Sequence, residues 1–353
     1  MIAVLTQCFP PDRGGIETTM GEMAMAFHKA GHPVVVLADH IRGGAPERDW
    51  PFPVRRFGGP RIWRRWRKSL ALAALGADVV WADSWKSLET MPARRPRVVV
   101  MAHGNELLRR EHGRGARMAA AFSRADVVVA NSYYTTGLMA GLHDAVEVVN
   151  PSIRPPLPAS IATRPGQILS LGRLEARKGF DMVIRALPGL SGAHYTIAGD
   201  GPDAARLRAL AAECGVAARV AFTGAVDEAT KSRLLGEAAI FAMPVRREAR
   251  SVEGFGLVYL EAAWFGVPSL AGLDGGAADA VLDGETGLLV EGADPMAVRH
   301  GLARLLEDPV LRQRLGDAAR ERVHRDFTWE AVLPRYLMLL ERSSARSDSS
   351  ISS

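Results

Sequence analysis

The stretch "SVEGFGLVYLEAAWFGVPSL", Ser251–Leu270, decides how the chain reads. Glu253 stands in a glycine-broken turn, and Glu261 follows eight residues later in a run that reads as helix from about Leu257. Gly254 and Gly256 let the backbone come close to a ligand, and the amides that open a helix lack intrahelical partners. Amides so placed hold phosphate oxygens. Carboxylates instead accept hydrogen bonds from sugar hydroxyls. A phosphate at the helix start, flanked by Glu253 on a sugar and Glu261 on a ribose, uses every part of the segment. The plainer alternative is a capping acid followed by a surface glutamate.

Upstream, "LGRLEARKGFD" places Gly172 and Arg173 at the end of a strand-like run, with Lys178 five residues beyond Arg173. An arginine fork and a mobile lysine charge suit a diphosphate, although a solvated charge cluster is the competing reading. These segments sit within a series of short apolar strands: "QILSLGRL", "HYTIAGDG", "RVAFTGAV", "AAIFAMPV", "GVPSLAG" and "GLLVE". Helical stretches separate them, at Gly179–Leu187, Ala204–Cys214 and Glu228–Glu237. Farther upstream, "MIAVLTQ", "HPVVVLA", "ADVVWAD", "RPRVVVMAHG", "ADVVVANS" and "AVEVVNPS" form a first series, with a helical stretch near Thr18–Ala30 after the first of them. Strands this uniformly apolar suit a parallel sheet covered on both faces, and the alternation with helices is that of a doubly wound α/β unit. The proline-rich "NPSIRPPLPASIATRPG" divides the two series.

The expected organisation is therefore an N-terminal domain over 1–157, a second over 158–325, a closing helix over 326–342 and a disordered serine-rich tail over 343–353. The other C-terminal helices are read at Pro295–Leu306 and Val310–Val323, with the closing helix at Trp329–Glu341. The chain has 353 residues, 48% of them apolar, enough for two cores. Its formal charge of +5 suits an anionic partner without naming one. No zinc-finger spacing, KH-type loop or arginine-rich tail points to nucleic acid. Cys8 and Cys214 support neither a disulfide scaffold nor a cysteine metal site. No apolar run spans a membrane, and "MIAVLTQCFPPDRGG" reads as a buried strand rather than a leader; the cysteine usage suits a reducing cytoplasmic setting, with peripheral attachment to the inner face of the plasma membrane as an option.

Ligands bind beyond the carboxyl ends of strands in such folds, and the remaining candidates lie there. "FPPDRGGIETTM" offers Gly14 and Gly15 in a tight turn, without the G-x-G-x-x-G of a dinucleotide oxidoreductase and without a P-loop. "VVVMAHGNE" places His103 at a strand end, as a structural histidine or as a partner of a sugar hydroxyl, with Glu106 as a candidate on the acceptor side. "GLDGGAADAVLDGETGLLV" adds Gly275, Gly276 and Asp279, the last to orient its loop or bind a hydroxyl. "DGETG" reads as a β-turn.

Taken in order, these segments resemble a retaining glycosyltransferase of the GT4 family with the GT-B fold: two Rossmann-like domains facing across a cleft. Glu253–Gly254–Phe255–Gly256 followed by Glu261 matches the family's E-x7-E arrangement, preceded by "GRLEARKG", "IAGDGP" and "FTG". "GGIE", "AHGNE" and "DGETGLLV" supply the other landmarks. The resemblance implies a nucleotide diphosphate sugar donor, UDP- or GDP-linked, and a hydroxyl-bearing glycan or glycolipid acceptor of the cell envelope. It implies no metal and no cofactor. Arg173 and Lys178 would contact the donor diphosphate, Glu261 the ribose, and Glu253 with the backbone at Phe255, Gly256 and Leu257 the sugar and phosphate. Gly15, Gly172 and Gly224 would approach the donor, and His103 would line the sugar site. Two landmarks depart from the family: Asn150–Pro151–Ser152 stands in place of "PNG", and Gly275–Asp279 ends in aspartate where "GGxPE" has glutamate. A related epimerase or phosphorylase, and a basic nucleotide- or membrane-binding module, are the alternatives.

"RIWRRWRKSLALAALG", Arg61–Gly76, groups Trp63, Trp66 and Leu70 near one helical face with Ile62 beside them, ringed by Arg64, Arg65, Arg67 and Lys68. Tryptophan at a lipid interface with basic groups on anionic headgroups is one reading, with Trp63, Arg64, Trp66 and Arg67 as the contacts. The others are a helix packed through its tryptophans and a basic groove for a soluble acceptor.

Overall fold

The computed structural model describes residues 1–12, 14–41, 46–47, 49–91 and 96–341. The serine tail expected over 343–353 lies outside these. Apolar runs become parallel strands throughout. The first sheet holds β1 (Ile2–Leu5), β2 (Val34–Asp39), β3 (Val54–Phe57), β4 (Val79–Ala82), β5 (Arg97–Ala102), β6 (Val127–Ala130) and β7 (Val146–Val148). The second holds β8 (Gln167–Leu171), β9 (His194–Ala198), β10 (Val220–Gly224), β11 (Ile240–Met243), β12 (Ser269–Gly272) and β13 (Gly287–Val290). Their spatial orders are β3-β2-β1-β4-β5-β6-β7 and β10-β9-β8-β11-β12-β13. Each reverses direction once, between β1 and β4 and between β8 and β11. Such reversals open crevices at the carboxyl ends of the strands.

Helices cover both sheets. The first carries α1 (Gly15–Lys29), α2 (Arg61–Leu75), α3 (Trp85–Leu88), α4 (Arg114–Phe122) and α5 (Tyr133–Leu138). The second carries α6 (Phe180–Ala186), α7 (Ala204–Glu213), α8 (Glu228–Glu237), α9 (Leu257–Trp264), α10 (Ala277–Ala280), α11 (Pro295–Glu307) and α12 (Pro309–Asp326). Sequence chemistry sets several starts: Asp227, Asp294 and Asp308 cap α8, α11 and α12 through their carboxylates, and proline opens the last two.

The final helix, α13 (Trp329–Glu341), packs on the first sheet rather than the second. Val332, Tyr336, Leu339 and Leu340 join that core, with Tyr336 edge-on to Trp81 at 5.3 Å. Two observations differ from the sequence reading. β3, "VRRF", was not expected as a strand, because its charged residues break the apolar pattern. Its Arg56 bonds the carbonyls of Phe9, Pro10 and Asp39 and pairs with Glu47, so the charge is spent locally at a sheet edge. α1 begins at Gly15, directly on the glycine turn, not near Thr18.

Candidate active site

The chain leaves β8 through Gly172 and Arg173, makes one tight turn over Ala176–Lys178 and enters α6. That turn buries Lys178, whose Nζ lies 3.2 Å from Glu253 Oε2 and 3.6 Å from the sulfur of Met243 at the end of β11. Lys178 thus occupies the crevice where the second sheet reverses. Arg177 approaches the same Glu253 oxygen at 3.6 Å and also pairs with Glu175. Burial pushes the Glu253 carboxyl up, but Lys178 and then Arg177 outweigh it and hold the group below the usual carboxylate range. Arg173 does not enter this cluster. Its side chain is 71% exposed and its Nε rests 3.4 Å from Glu175, at the rim. The sequence alone does not single out Arg177; the only local signal for it is its place beside Lys178.

The Glu253 turn rests on the first domain. A Cβ on Gly254 would stand 1.9 Å from the His103 carbonyl oxygen, so only glycine permits this approach. Asn105 Oδ1 accepts from the Val252 amide at 3.3 Å. Gly256 has φ 95°, in the left-handed region that favours glycine, and α9 starts at the next residue. Across the cleft, the Cβ position of Gly15 is 4.0 Å from a Leu257 methyl. Phe255 is buried against Phe327, which leaves its backbone for the turn.

His103 Nε2 lies 2.9 Å from the Asp83 carbonyl. A carbonyl only accepts, so Nε2 donates in this contact and Nδ1 is left facing away from it. The His103 amide donates to Glu106 Oε1 at 2.8 Å, so Glu106 holds this loop in shape.

Glu261 lies on α9, apart from Glu253. Its carboxylate is 2.8 Å from Lys231 Nζ, which is also 2.8 Å from Glu228. Burial pushes Glu261 up, and Lys231 only partly opposes this. Lys231 is itself held above its ordinary value, because Glu261 and Glu228 together overcome its own burial. Lys231 was also missed in the sequence. Gly224 ends β10, and its carbonyl accepts from Gly199 at 2.8 Å, beside the strand end that carries Gly172.

The two departures from the family's landmarks meet each other. Asp279 Oδ2 accepts from Asn150 Nδ2 at 3.0 Å and from the Tyr133 amide at 2.9 Å, joining the domains. Aspartate in place of glutamate is matched by an asparagine that reaches it.

On α2, Ile62, Trp63, Trp66 and Leu70 are 81%, 63%, 54% and 50% exposed, so the helix is not packed through its tryptophans. The ring of basic groups needs correction. Arg64 turns inward to Asp39 at 2.9 Å, and Lys68 is buried on the same carboxylate. Arg65 pairs with Glu89. Of that ring only Arg67 stays outside, its guanidinium 5.9 Å from the Phe57 ring centroid. The carboxylates at the end of β2 and after α3 draw the others in.

Two facing parallel sheets with a cation–carboxylate cluster at the crevice of the second define the GT-B class. Residues 158–322 match the family profile described as glycosyl transferases group 1, and residues 13–155 that of glycosyltransferase family 4. A GDP-mannose-dependent alpha-(1-6)-phosphatidylinositol monomannoside mannosyltransferase of Mycobacterium tuberculosis is 31% identical, covering 98% of this chain and 99% of its own. The sucrose-phosphate synthase of Thermosynechococcus elongatus superposes with a TM-score of 0.78 at 22% identity, over 96% of this chain and 97% of its own. Anabaena HepE, solved with UDP and glucose, gives 0.75 at 19% identity, over 97% and 99%. The chain belongs to the GT4-type glycosyltransferases. It is an enzyme that transfers a sugar from a nucleotide-diphosphate donor to an acceptor.

Proposed function

We propose that the chain transfers a hexose, with retention of anomeric configuration, from a nucleotide diphosphate sugar to a hydroxyl of a lipid-linked acceptor at a membrane surface. The observation that carries it is Lys178, buried in the crevice of the second sheet and already charge-paired with Glu253. As the bond to the leaving diphosphate breaks, negative charge grows on it. Lys178, the amides that open α9 and Arg173 at the rim would meet that charge, more in the transition state than in the bound donor. Glu253 accepts from hydroxyls of the transferred sugar, and Glu261, steadied by Lys231, from those of the ribose. His103 offers Nδ1 to the sugar from the opposite wall. Gly15, Gly172 and Gly224 admit the donor backbone-close. The acceptor hydroxyl attacks on the face the diphosphate leaves, which takes up its proton; the protein's own cations serve in place of a metal.

The full-length relative's name favours GDP-mannose as donor and a phosphatidylinositol-based acceptor. No helix among the described residues is long and apolar enough to cross a membrane. The exposed Ile62, Trp63, Trp66 and Leu70 support peripheral attachment through α2. Incubation with GDP-mannose and phosphatidylinositol-based acceptors, read by mass spectrometry of the lipid, should show one added hexose and release of GDP. Turnover that yields sugar phosphate or an epimerised nucleotide sugar would refute this reading. A parallel screen with UDP-linked sugars settles the base.

A further inference from the structure

Two cations hold Glu253, and they are themselves held very differently. Arg177 is tied down at several points. Its guanidinium pairs with Glu175, donates through Nε to the Val252 carbonyl at 3.4 Å and lies 3.6 Å from Glu253 Oε2. Its own carbonyl accepts from the Arg246 amide at 2.8 Å, and Arg246 is fixed in turn by a two-pronged pair with Asp181 at 2.8 and 3.2 Å. Lys178 has far less. Its ammonium carries three donors, yet among the described residues it meets one Glu253 oxygen at 3.2 Å and the Met243 sulfur, a weak acceptor, at 3.6 Å. A Cβ on Gly172 would stand 3.1 Å from Nζ, so the bare glycine leaves the ammonium room at the end of β8.

A diphosphate is a far better partner for Lys178 than a thioether, and Arg177 cannot follow without breaking its own contacts. When Lys178 turns to phosphate, Glu253 loses its nearer cation. Its Oε2 is shut off from water and has no further cation among the described residues. A carboxylate so buried takes up a proton unless positive charge stays beside it, and once protonated it accepts less from a sugar hydroxyl. The other ionisable groups packed about this turn are engaged elsewhere. Tyr259 donates to the Met243 carbonyl at 2.5 Å, and burial, with Glu253 nearby, pushes its phenol up, so it stays neutral. Asp274 accepts from the Arg247 amide at 2.8 Å, His103 bonds the Asp83 carbonyl and Glu106 holds the His103 amide.

We propose that Arg177 is a positioning residue for the transferred sugar: it keeps Glu253 ionised and aimed after the donor's diphosphate has drawn Lys178 away. This rests on the glycosyltransfer reading above, and it carries a pH signature that a merely structural arginine would not give. Glu253 has both cations in the free enzyme and Arg177 alone in the donor complex. kcat reports groups in the substrate complex, kcat/KM those in the free enzyme. Glu261 acts through donor affinity and drops out of kcat at saturating donor. Removing a cation raises the Glu253 carboxyl, so activity is lost earlier as pH falls. In Arg177→Gln and Arg177→Met, both neutral, the acid limb of kcat should move to higher pH by about 1–3 units, the effect of one adjacent arginine on a carboxyl. The limb of kcat/KM should move less. Arg177→Lys should restore most of the native profile.

A second readout needs no turnover. GDP binding in mild acid, followed by calorimetry in buffers of different ionisation heat, should take up about one more proton in the neutral variants than in the native chain. Acid limbs that stay in place while kcat falls evenly at every pH, equal shifts in kcat and kcat/KM, no restoration by lysine, or no extra proton on GDP binding would each overturn the assignment. If the extra proton appears while no sugar is ever transferred, the glycosyltransfer reading falls and the hold of Arg177 on Glu253 stands.

Discussion

Glu253 and Glu261 lie eight residues apart, both largely removed from water, yet their carboxyl groups are driven in opposite directions. Glu253 faces two cations, Lys178 at 3.2 Å and Arg177 at 3.6 Å, and their attraction exceeds the cost of burial. Glu261 faces one, Lys231, whose charge is shared with Glu228 at the same 2.8 Å, and burial wins. The balance of desolvation against the number of unshared partners decides each case. One carboxylate is thus locked as an anion beside the phosphate site, while the other remains responsive to its ligand and to pH.

The difference can be broken from either side. Glu253→Gln should have the largest effect, because it leaves Lys178 and Arg177 without their common counter-charge. Turnover should fall by roughly a hundredfold or more, and stability by on the order of 2 kcal/mol, below the range for a fully buried pair. Glu253 titrates below the ordinary carboxylate range, so this stabilisation is present at neutral pH and is lost as pH falls through the depressed value. Thermal unfolding of both forms should therefore differ at pH 7 and converge in acid.

Glu261→Gln should act on the donor alone, with affinity about tenfold weaker by calorimetry and little change in kcat. Its raised carboxyl gains its proton first on acidification, so its charge favours the folded state least at neutral pH. The variant should be no less stable at pH 7. Donor affinity of the native chain should weaken in mild acid, and that dependence should vanish in Glu261→Gln. Asp279→Ala, which removes the clasp to Asn150 and Tyr133, should lower turnover only several-fold and unfolding stability by about 1 kcal/mol. Smallest of all, a chelator should leave turnover unchanged, since protein cations meet the departing charge; a rate that collapses in EDTA and returns with a divalent ion would contradict this.

Much of this architecture was legible. Uniformly apolar runs marked most strands of the first sheet, and the bare glycines of the Glu253 turn placed the start of α9 at Leu257. What escaped notice depends on contacts distant along the chain. Arg177 gains meaning only from Glu253, and Lys231 only from Glu261. A helical pattern cannot say whether Trp63 and Trp66 meet a core or solvent, since either suits the same spacing; nor can it show that Asp39 pulls Arg64 and Lys68 off the outer face. β3 was hidden because Arg55 and Arg56 interrupt the apolar signal at a sheet edge.

The central claim is that Lys178 acts on charge that develops as the sugar leaves. Its most direct test is the separate measurement of kcat and donor Kd for Lys178→Ala, with the donor the native enzyme uses. The account predicts that kcat falls by about 10²–10³ while Kd changes far less. A loss confined to Kd, with kcat intact, would make Lys178 a binding residue only and contradict it.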